Sequence, residues 1–248
     1  MTYSTPPDAH AATLPTEPAI PAAKTPILRI IGVLAIRPVL ILAMGLTLLT
    51  VNLSLIYTNA LVVIVDIVAL AVVALAMRAE GSSLLAFFKP WKWVDLAWGA
   101  LMLVILVVGF LVSNFAANLI VYHGAPPISG DMPSVPLWVG IVALVVAPLT
   151  IAVSEEVVYR GYAQARLAGH IGTAVSLILV AVVFGIQHIG FSLGSPEAIA
   201  SKVLTTLFAG IILGALMLWM RRIAPLVLAH WGLDLVFLGL PTFFLALS

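Results

Sequence analysis

Cysteine is absent from this 248-residue chain. The absence excludes disulfide bonds, thiolate zinc sites, iron–sulfur clusters and cysteine nucleophiles. Charged residues are also scarce: Asp, Glu, Lys and Arg make up 8% of the sequence, whereas a typical soluble domain is about one quarter charged. The formal net charge is only +1, and this balance argues against nucleic acid as a partner.

Apolar residues dominate instead, at 63% of the sequence, which indicates an integral membrane protein. A helix that crosses the bilayer needs about 20 mostly apolar residues. Pro241 interrupts the last such stretch, so seven or eight spans are predicted. The fold class is therefore an all-α, polytopic bundle of transmembrane helices. The predicted spans are residues 38–57, 60–77, 94–117, 137–159, 172–190, 200–220 and 223–247.

The first 26 residues differ from the rest, because they contain six prolines and no apolar run. They are predicted to be a disordered tail, followed by one membrane-embedded domain over residues 27–248. Of the eleven Lys and Arg residues, all except Lys202 fall on one side of the predicted spans, Arg37 being placed just before the first. The positive-inside rule then predicts a multi-pass protein of the plasma membrane with a cytoplasmic N-terminus.

Ionisable residues within spans are costly and usually functional. Asp66 has no polar neighbour on its helix face, so it is interpreted as a protonated or interhelically hydrogen-bonded carboxyl outside any site. Six others cluster in three short stretches of the second half of the chain. These candidate site residues are Glu155, Glu156, Arg160, His188, His230 and Asp234.

Helical spacing relates these six residues to one another. Glu156 and Arg160 are four positions apart and are predicted to form an ion pair, and His230 and Asp234 share that spacing. Glu155 projects about 100° away from Glu156, so it can face another neighbour. A buried carboxylate beside histidines is a candidate general base. Each pair taken alone also suits a structural ion pair, an interhelical hydrogen bond or a proton relay.

Three motifs occur in a fixed order: SEEVVYRG at 154–161, FGIQH at 184–188 and HWGLD at 230–234. They resemble the motifs EExxxR, FxxxH and Hxxx(N/D) of the CPBP family of intramembrane proteases. That family includes the CaaX prenyl endopeptidases and the bacterial abortive-infection-like proteins. The resemblance covers about residues 90–248. It implies an endopeptidase that cleaves near the C-terminus of a substrate or within a membrane-associated peptide.

The resemblance also implies a role for each motif residue. Glu155 would activate the attacking water, while Glu156 and Arg160 would orient it. His188 would be a second catalytic or water-binding group, with Phe184 packed one turn before it.

The last motif would act on the scissile carbonyl, since His230 and Asp234 would polarise it or stabilise the oxyanion. The family commonly has asparagine where this chain has Asp234, and a carboxyl donates a hydrogen bond only when protonated. Orienting His230 or binding a metal is therefore the safer assignment for Asp234.

A metal is a further implication of the resemblance. Glu155, His188 and His230 offer two nitrogens and a carboxylate, a set suited to catalytic zinc with an open position. The same three residues also suit a metal-free mechanism based on the glutamate.

More than one function fits the sequence. GFSLG at 190–194 fits the GxSxG pattern of a serine protease with His230 as base, but that interpretation leaves the glutamates unexplained. A proton-coupled transporter or a non-catalytic membrane immunity or scaffold protein would also accommodate buried acids and histidines. For a protease, the expected partners are membrane lipid and a peptide or lipid-anchored protein: a prenylated-type C-terminus, a membrane-anchored peptide or a bacteriocin-like peptide. The sequence does not specify the oligomeric state.

Overall fold

The structure is a computed structural model that describes residues 25–127 and 135–248. The predicted disordered tail lies outside the described residues except for its last two positions. Within the described part the chain is helical and contains no strand. Its longer elements are α1 Ile27–Thr50, α2 Thr58–Ala79, α3 Val94–Tyr122, α7 Thr173–Gln187 and α8 Pro196–Met220.

Two parts of the chain are built from shorter pieces joined end to end. The first comprises α4 Leu137–Val145, α5 Ala147–Glu155, a π-helical segment Glu156–Gln164 and α6 Ala165–Ile171. The second comprises α9 Ile223–Asp234, a π-helical turn Leu235–Gly239 and α10 Leu240–Leu245. Short 3₁₀ turns at Leu55–Tyr57, Leu84–Phe88 and His188–Phe191 complete the fold.

The number of membrane spans, six or seven, overlaps with the seven or eight predicted from hydropathy. Six helices of the described chain are long and apolar enough to cross a bilayer, and α4 with the 147–171 run makes a seventh if that pair, bent by 43°, is one span. The continuous α9–α10 run counts as one span despite Pro241. The protein is therefore an all-α, multi-pass membrane protein, as predicted.

The prediction for the first span was wrong in its position. Helix α1 begins at Ile27 rather than at residue 38, and it continues through Pro38 to Thr50. Arg37 therefore lies inside the helix and is fully buried, instead of flanking the span. The stretch from Ile27 to Thr50 is apolar enough to span the membrane despite Arg37, and acidic side chains of other helices neutralise the Arg37 charge.

Ion pairs join several helix ends into one end of the bundle. Glu80, just after α2, pairs with Arg29 of α1 and with Arg166 of α6, and Arg222 before α9 pairs with Asp95 of α3. We call this the cation-rich end, and the opposite one the cation-poor end. The cation-rich end carries Arg29, Arg78, Lys89, Lys92, Arg166, Arg221 and Arg222.

The π-helical segment Glu156–Gln164 occupies the centre of the bundle. All nine of its residues are buried, and it contacts helices α1, α2, α7, α8 and α9. Helix α1 packs closely against the turn after α7, so that a Cβ added at Gly190 would lie 2.4 Å from the carbonyl oxygen of Ile41. Packing therefore accounts for Gly190, the first glycine of the GFSLG pattern.

Glu80 provides a pH-dependent contact at the cation-rich end. Burial by itself would raise the pKa of Glu80, but hydrogen bonds and charge from Arg166, with further hydrogen bonds from Tyr162 and Thr25, hold it below its ordinary value. A depressed folded-state pKa contributes stability above the unfolded-state pKa, and that stability is lost as the pH falls through the folded-state pKa.

We therefore expect Glu80→Gln to lower the stability of the protein at pH 7 by about 1.5–3 kcal/mol, the range for hydrogen bonds to charged groups. The difference from wild type should shrink as the pH falls below 4.5, the ordinary pKa. Thermal unfolding in detergent across this pH range measures both effects. Glu197→Gln is the matched control, because Glu197 is exposed at the other end of the bundle. An effect of Glu80→Gln that does not change with pH would contradict this account.

Candidate active site

Four elements carry the six predicted site residues to the middle of the bundle. Glu155 is the last residue of α5, and Glu156 and Arg160 lie on the π-helical segment that follows. His188 follows α7, and the third motif occupies the end of α9. The Phe184 ring joins the groups, with its centroid 5.1 Å from that of His188 and 6.5 Å from that of His230.

Glu156 contacts two partners, Arg160 and His230. Its Oε1 lies 3.3 Å from Nη1 of Arg160, so the predicted ion pair forms, and 2.8 Å from Nδ1 of His230. Arg160 also donates to the carbonyl of Gly210 at 3.2 Å, and its guanidinium lies 4.3 Å from the centroid of the Phe184 ring. Glu156 with Arg160 therefore fixes the orientation of the His230 ring.

Glu155 faces other partners, as the 100° offset predicted. Its Oε1 accepts hydrogen bonds from Nη2 of Arg37 at 2.8 Å and from Nε2 of Gln187 at 3.0 Å. Its Oε2 lies 3.6 Å from Nε2 of His230. One oxygen of this carboxylate is thus held, while the other is directed towards the histidine.

Arg37 organises the charges behind Glu155. It donates to Asp66, to Ser154 Oγ at 2.8 Å and to Gln187 Oε1 at 3.2 Å, in addition to Glu155. All of these groups are buried. The Arg37 guanidinium therefore links Asp66 of α2 and Glu155 of α5 to Gln187 at the end of α7.

Sequence reasoning missed this network. Asp66 is an interhelically hydrogen-bonded carboxyl, which the sequence interpretation allowed, but it shares Arg37 with Glu155 and so belongs to the site's surroundings. Tyr159 is a further member, since its hydroxyl donates to Gln187 Oε1 at 2.7 Å. One signal was available: a first span drawn from residue 27 would have contained Arg37, and an arginine within a membrane helix is a functional candidate.

His188 is half-buried and differs from His230 in its partner. Its Nδ1 lies 2.7 Å from the carbonyl oxygen of Phe184. A carbonyl only accepts, so Nδ1 carries the proton and donates, which leaves Nε2 as the reactive nitrogen.

Asp234 is the most accessible acid of the site, with a side chain that is 17% exposed, against 3% for Glu155 and 0% for Glu156. Its Oδ2 lies 3.6 Å from Nε2 of His230 and has no hydrogen-bond partner among the described residues. Nε2 of His230 therefore lies between two carboxylate oxygens, one from Glu155 and one from Asp234.

The predicted zinc ligands were Glu155, His188 and His230. Across residues 25–127 and 135–248, no group of three or more His, Cys, Asp or Glu side chains is arranged to hold a metal ion. The guanidinium of Arg37 also binds Glu155 directly, and a cation so close disfavours a second one. The donor set therefore does not fit a zinc centre in this arrangement.

A family model described as Rce1-like, Type II CAAX prenyl endopeptidase, matches residues 133–236. The resemblance predicted from the motifs is confirmed. This Rce1-like segment, less than half of the chain, contains all six site residues, and the similarity supports an intramembrane protease. No curated protein and no solved structure matches the chain.

Arg37 makes the burial of Glu155 and Asp66 tolerable, since removing one partner of a buried ion pair costs about 3–5 kcal/mol. We therefore expect Arg37→Gln to lower the stability of the protein by about that amount, measured as chemical or thermal unfolding in detergent. Adding Asp66→Asn should recover part of the loss, because one uncompensated carboxylate is then removed.

The matched control is Arg29→Gln on the same helix. Its side chain is 36% exposed and forms a 3.9 Å ion pair, so a loss of at most about 1 kcal/mol is expected. Equal losses for the two variants would show that Arg37 is not the counter-charge of the buried acids.

Proposed function

We propose that the protein is an intramembrane endopeptidase in which Glu155 activates a water molecule for attack on a peptide bond. The observation that carries this proposal is that the two oxygens of the Glu155 carboxylate have different partners. Oε1 of Glu155 is held by Arg37 and Gln187, and Oε2 is directed towards His230. The similarity of residues 133–236 to Rce1-like endopeptidases supports the reaction class.

The position of the attacking water follows from two equal distances. Glu155 Oε2 and Asp234 Oδ2 each lie 3.6 Å from His230 Nε2, which is too long for a direct hydrogen bond and suits a bridging water. We place the reacting water between these three atoms. Glu156 holds the His230 ring in the orientation that this requires.

Residues of this chain supply each proton transfer that the proposed reaction needs. Glu155 Oε2 takes a proton as the water oxygen bonds to the substrate carbonyl carbon, giving a tetrahedral intermediate. His230, when protonated at Nε2, donates to the oxyanion, and Asp234 orients the ring. When the C–N bond breaks, Glu155 returns its proton to the leaving amine. His188 Nε2 supplies a further polar contact for the substrate or the water.

We propose that the substrate is a peptide or lipid-anchored protein cleaved near its C-terminus, within the plasma membrane. The cation-rich end would face the cytoplasm together with the N-terminus, following the positive-inside rule. Twelve residues separate Arg222 from Asp234, or about 18 Å at about 1.5 Å per residue. The site therefore lies near the middle of the membrane.

The direct test compares cleavage of a fluorogenic peptide panel by purified wild type and by Glu155→Gln. Loss of the general base should lower kcat/KM by about 10²–10⁴-fold. Glu197→Gln is the control for general effects of removing a carboxylate, and unfolding curves show whether each variant is folded.

The same assay run with a strong zinc chelator separates the two mechanisms. Undiminished activity is expected for the glutamate mechanism proposed here, and activity that zinc restores after chelation would establish a metalloprotease instead. Full activity of a folded Glu155→Gln protein would show that Glu155 is not the base.

A further inference from the structure

Gln187, the last residue of α7, is buried and forms hydrogen bonds to three other elements of the bundle. Its side-chain oxygen accepts from the Tyr159 hydroxyl at 2.7 Å and from Arg37 Nε at 3.2 Å. Its amide nitrogen donates to Oε1 of Glu155 at 3.0 Å. One amide group therefore connects the proposed base on α5 to a tyrosine of the π-helical segment and to an arginine of α1.

The chemistry of the neighbouring groups fixes the direction in which the Gln187 amide faces. Arg37 can only donate a hydrogen bond, and an ionised carboxylate such as that of Glu155 can only accept one. The amide oxygen must therefore face Arg37, and the NH₂ group must face Glu155. A hydroxyl can donate or accept. Because the hydroxyl of Tyr159 lies against the amide oxygen, it donates.

The Tyr159 hydroxyl therefore begins a chain of two hydrogen bonds that passes through the Gln187 amide and ends on Glu155. Hydrogen bonds in such a chain polarise one another, so the donor behind the amide strengthens the bond that Oε1 receives. The tyrosine ring also packs edge-on against that of Phe184, with the centroids 5.3 Å apart. Phe184 and Gln187 are three positions apart and lie on one face of α7. Tyr159 thus holds the end of α7 through both its ring and its hydroxyl.

Glu155 needs more than one donor to keep its two oxygens distinct. The terminal torsion of a glutamate is broad and roughly two-fold. With Arg37 Nη2 alone, at 2.8 Å, the carboxylate could turn and present either oxygen to His230. Gln187 approaches the same Oε1 from another helix, so the two donors together fix the plane of the carboxylate. A displacement of about 1 Å at a reacting group can cost about 10²-fold in rate.

We propose that Tyr159 is a positioning residue for the base, and that it acts through the Gln187 amide to keep Oε2 of Glu155 directed towards the reacting water. The inference rests on the proposed function, because it assumes that Glu155 takes a proton from that water. Tyr159 and Gln187 act on the orientation of the base and not on the binding of the peptide. Their removal therefore lowers kcat and leaves KM unchanged.

The first experiment measures kcat and KM of Tyr159→Phe, Gln187→Met and the double variant with a peptide that wild type cleaves. Phenylalanine keeps the ring contact with Phe184 and removes only the hydroxyl. Tyr159→Phe should lower kcat by about tenfold and Gln187→Met by about 10²-fold, each with KM within about twofold of wild type. The double variant should be no slower than Gln187→Met alone, because the hydroxyl acts only through the amide.

The matched control is Tyr162→Phe, the same change on the same π-helical segment. The Tyr162 hydroxyl donates to Glu80 at 2.9 Å, at the cation-rich end, so its removal should leave kcat and KM unchanged. A similar fall in kcat for this control would overturn the inference. So would full activity of Tyr159→Phe, a rise in its KM at unchanged kcat, or a double variant in which the two single effects multiply.

A second experiment does not depend on turnover. Glutamine occurs only at positions 164 and 187, so ¹⁵N-labelled glutamine gives two side-chain amide pairs in an NMR spectrum, and the pair missing from Gln187→Met belongs to Gln187. A hydrogen bond to a carboxylate is stronger than one to a neutral carbonyl. One Nε2 proton of Gln187 should therefore lie downfield of those of Gln164, which donates to the Gly214 carbonyl at 3.2 Å. Glu155→Gln should remove this difference.

The NMR spectrum of Tyr159→Phe separates the inference from the protease proposal. The Gln187 pair should shift towards the Gln164 pair, because the amide loses the donor that polarises it, whereas Tyr162→Phe should leave the Gln187 pair in place. These shifts support the positioning of Glu155 even if no peptide is cleaved, an outcome that counts against the proposed function alone. An unchanged Gln187 pair in Tyr159→Phe overturns the inference, whether or not Glu155→Gln abolishes cleavage.

Discussion

Placing several charges in the interior of a membrane protein is the constraint on which this structure depends. An isolated carboxylate there is prohibitively costly, so each acid must share a cation or donor with its neighbours. Arg37 serves Asp66 and Glu155, and Arg160 serves Glu156. Arg37 thereby joins α1 to α2 and α5. Arg160 of the central segment also donates a hydrogen bond to Gly210 of α8, which joins that helix to the segment.

The π-helical segment carries two of the charged residues of the candidate site, Glu156 and Arg160. π-helical insertions are rare and are found mostly at functional positions. Here the segment begins at Glu156, directly after the last α-helical residue of α5. The two consecutive carboxylates face different neighbours: Glu155 meets Arg37 and Gln187, whereas Glu156 meets Arg160 and His230. One acid is left with an oxygen for chemistry, and the other orients the histidine beside it.

The spacing of residues along the chain explains why part of the site could be predicted. Residues four apart on one helix are neighbours wherever that helix lies, so the Glu156–Arg160 pair followed from spacing. The contacts of Arg37 with Asp66 and Glu155 join residues 29 and 118 positions apart, and no local pattern indicates them. The start of α1 was misplaced because Arg37 was interpreted as a charge that flanks the span.

The sequence by itself determined the membrane class, the helical fold and the three motifs, because apolar content and helical periodicity are local properties. Only the tertiary structure decided which oxygen of Glu155 is held, and that Arg37 and Gln187 hold it. These depend on how distant helices pack. In a low-dielectric interior, a charge takes its role from the few groups it meets there.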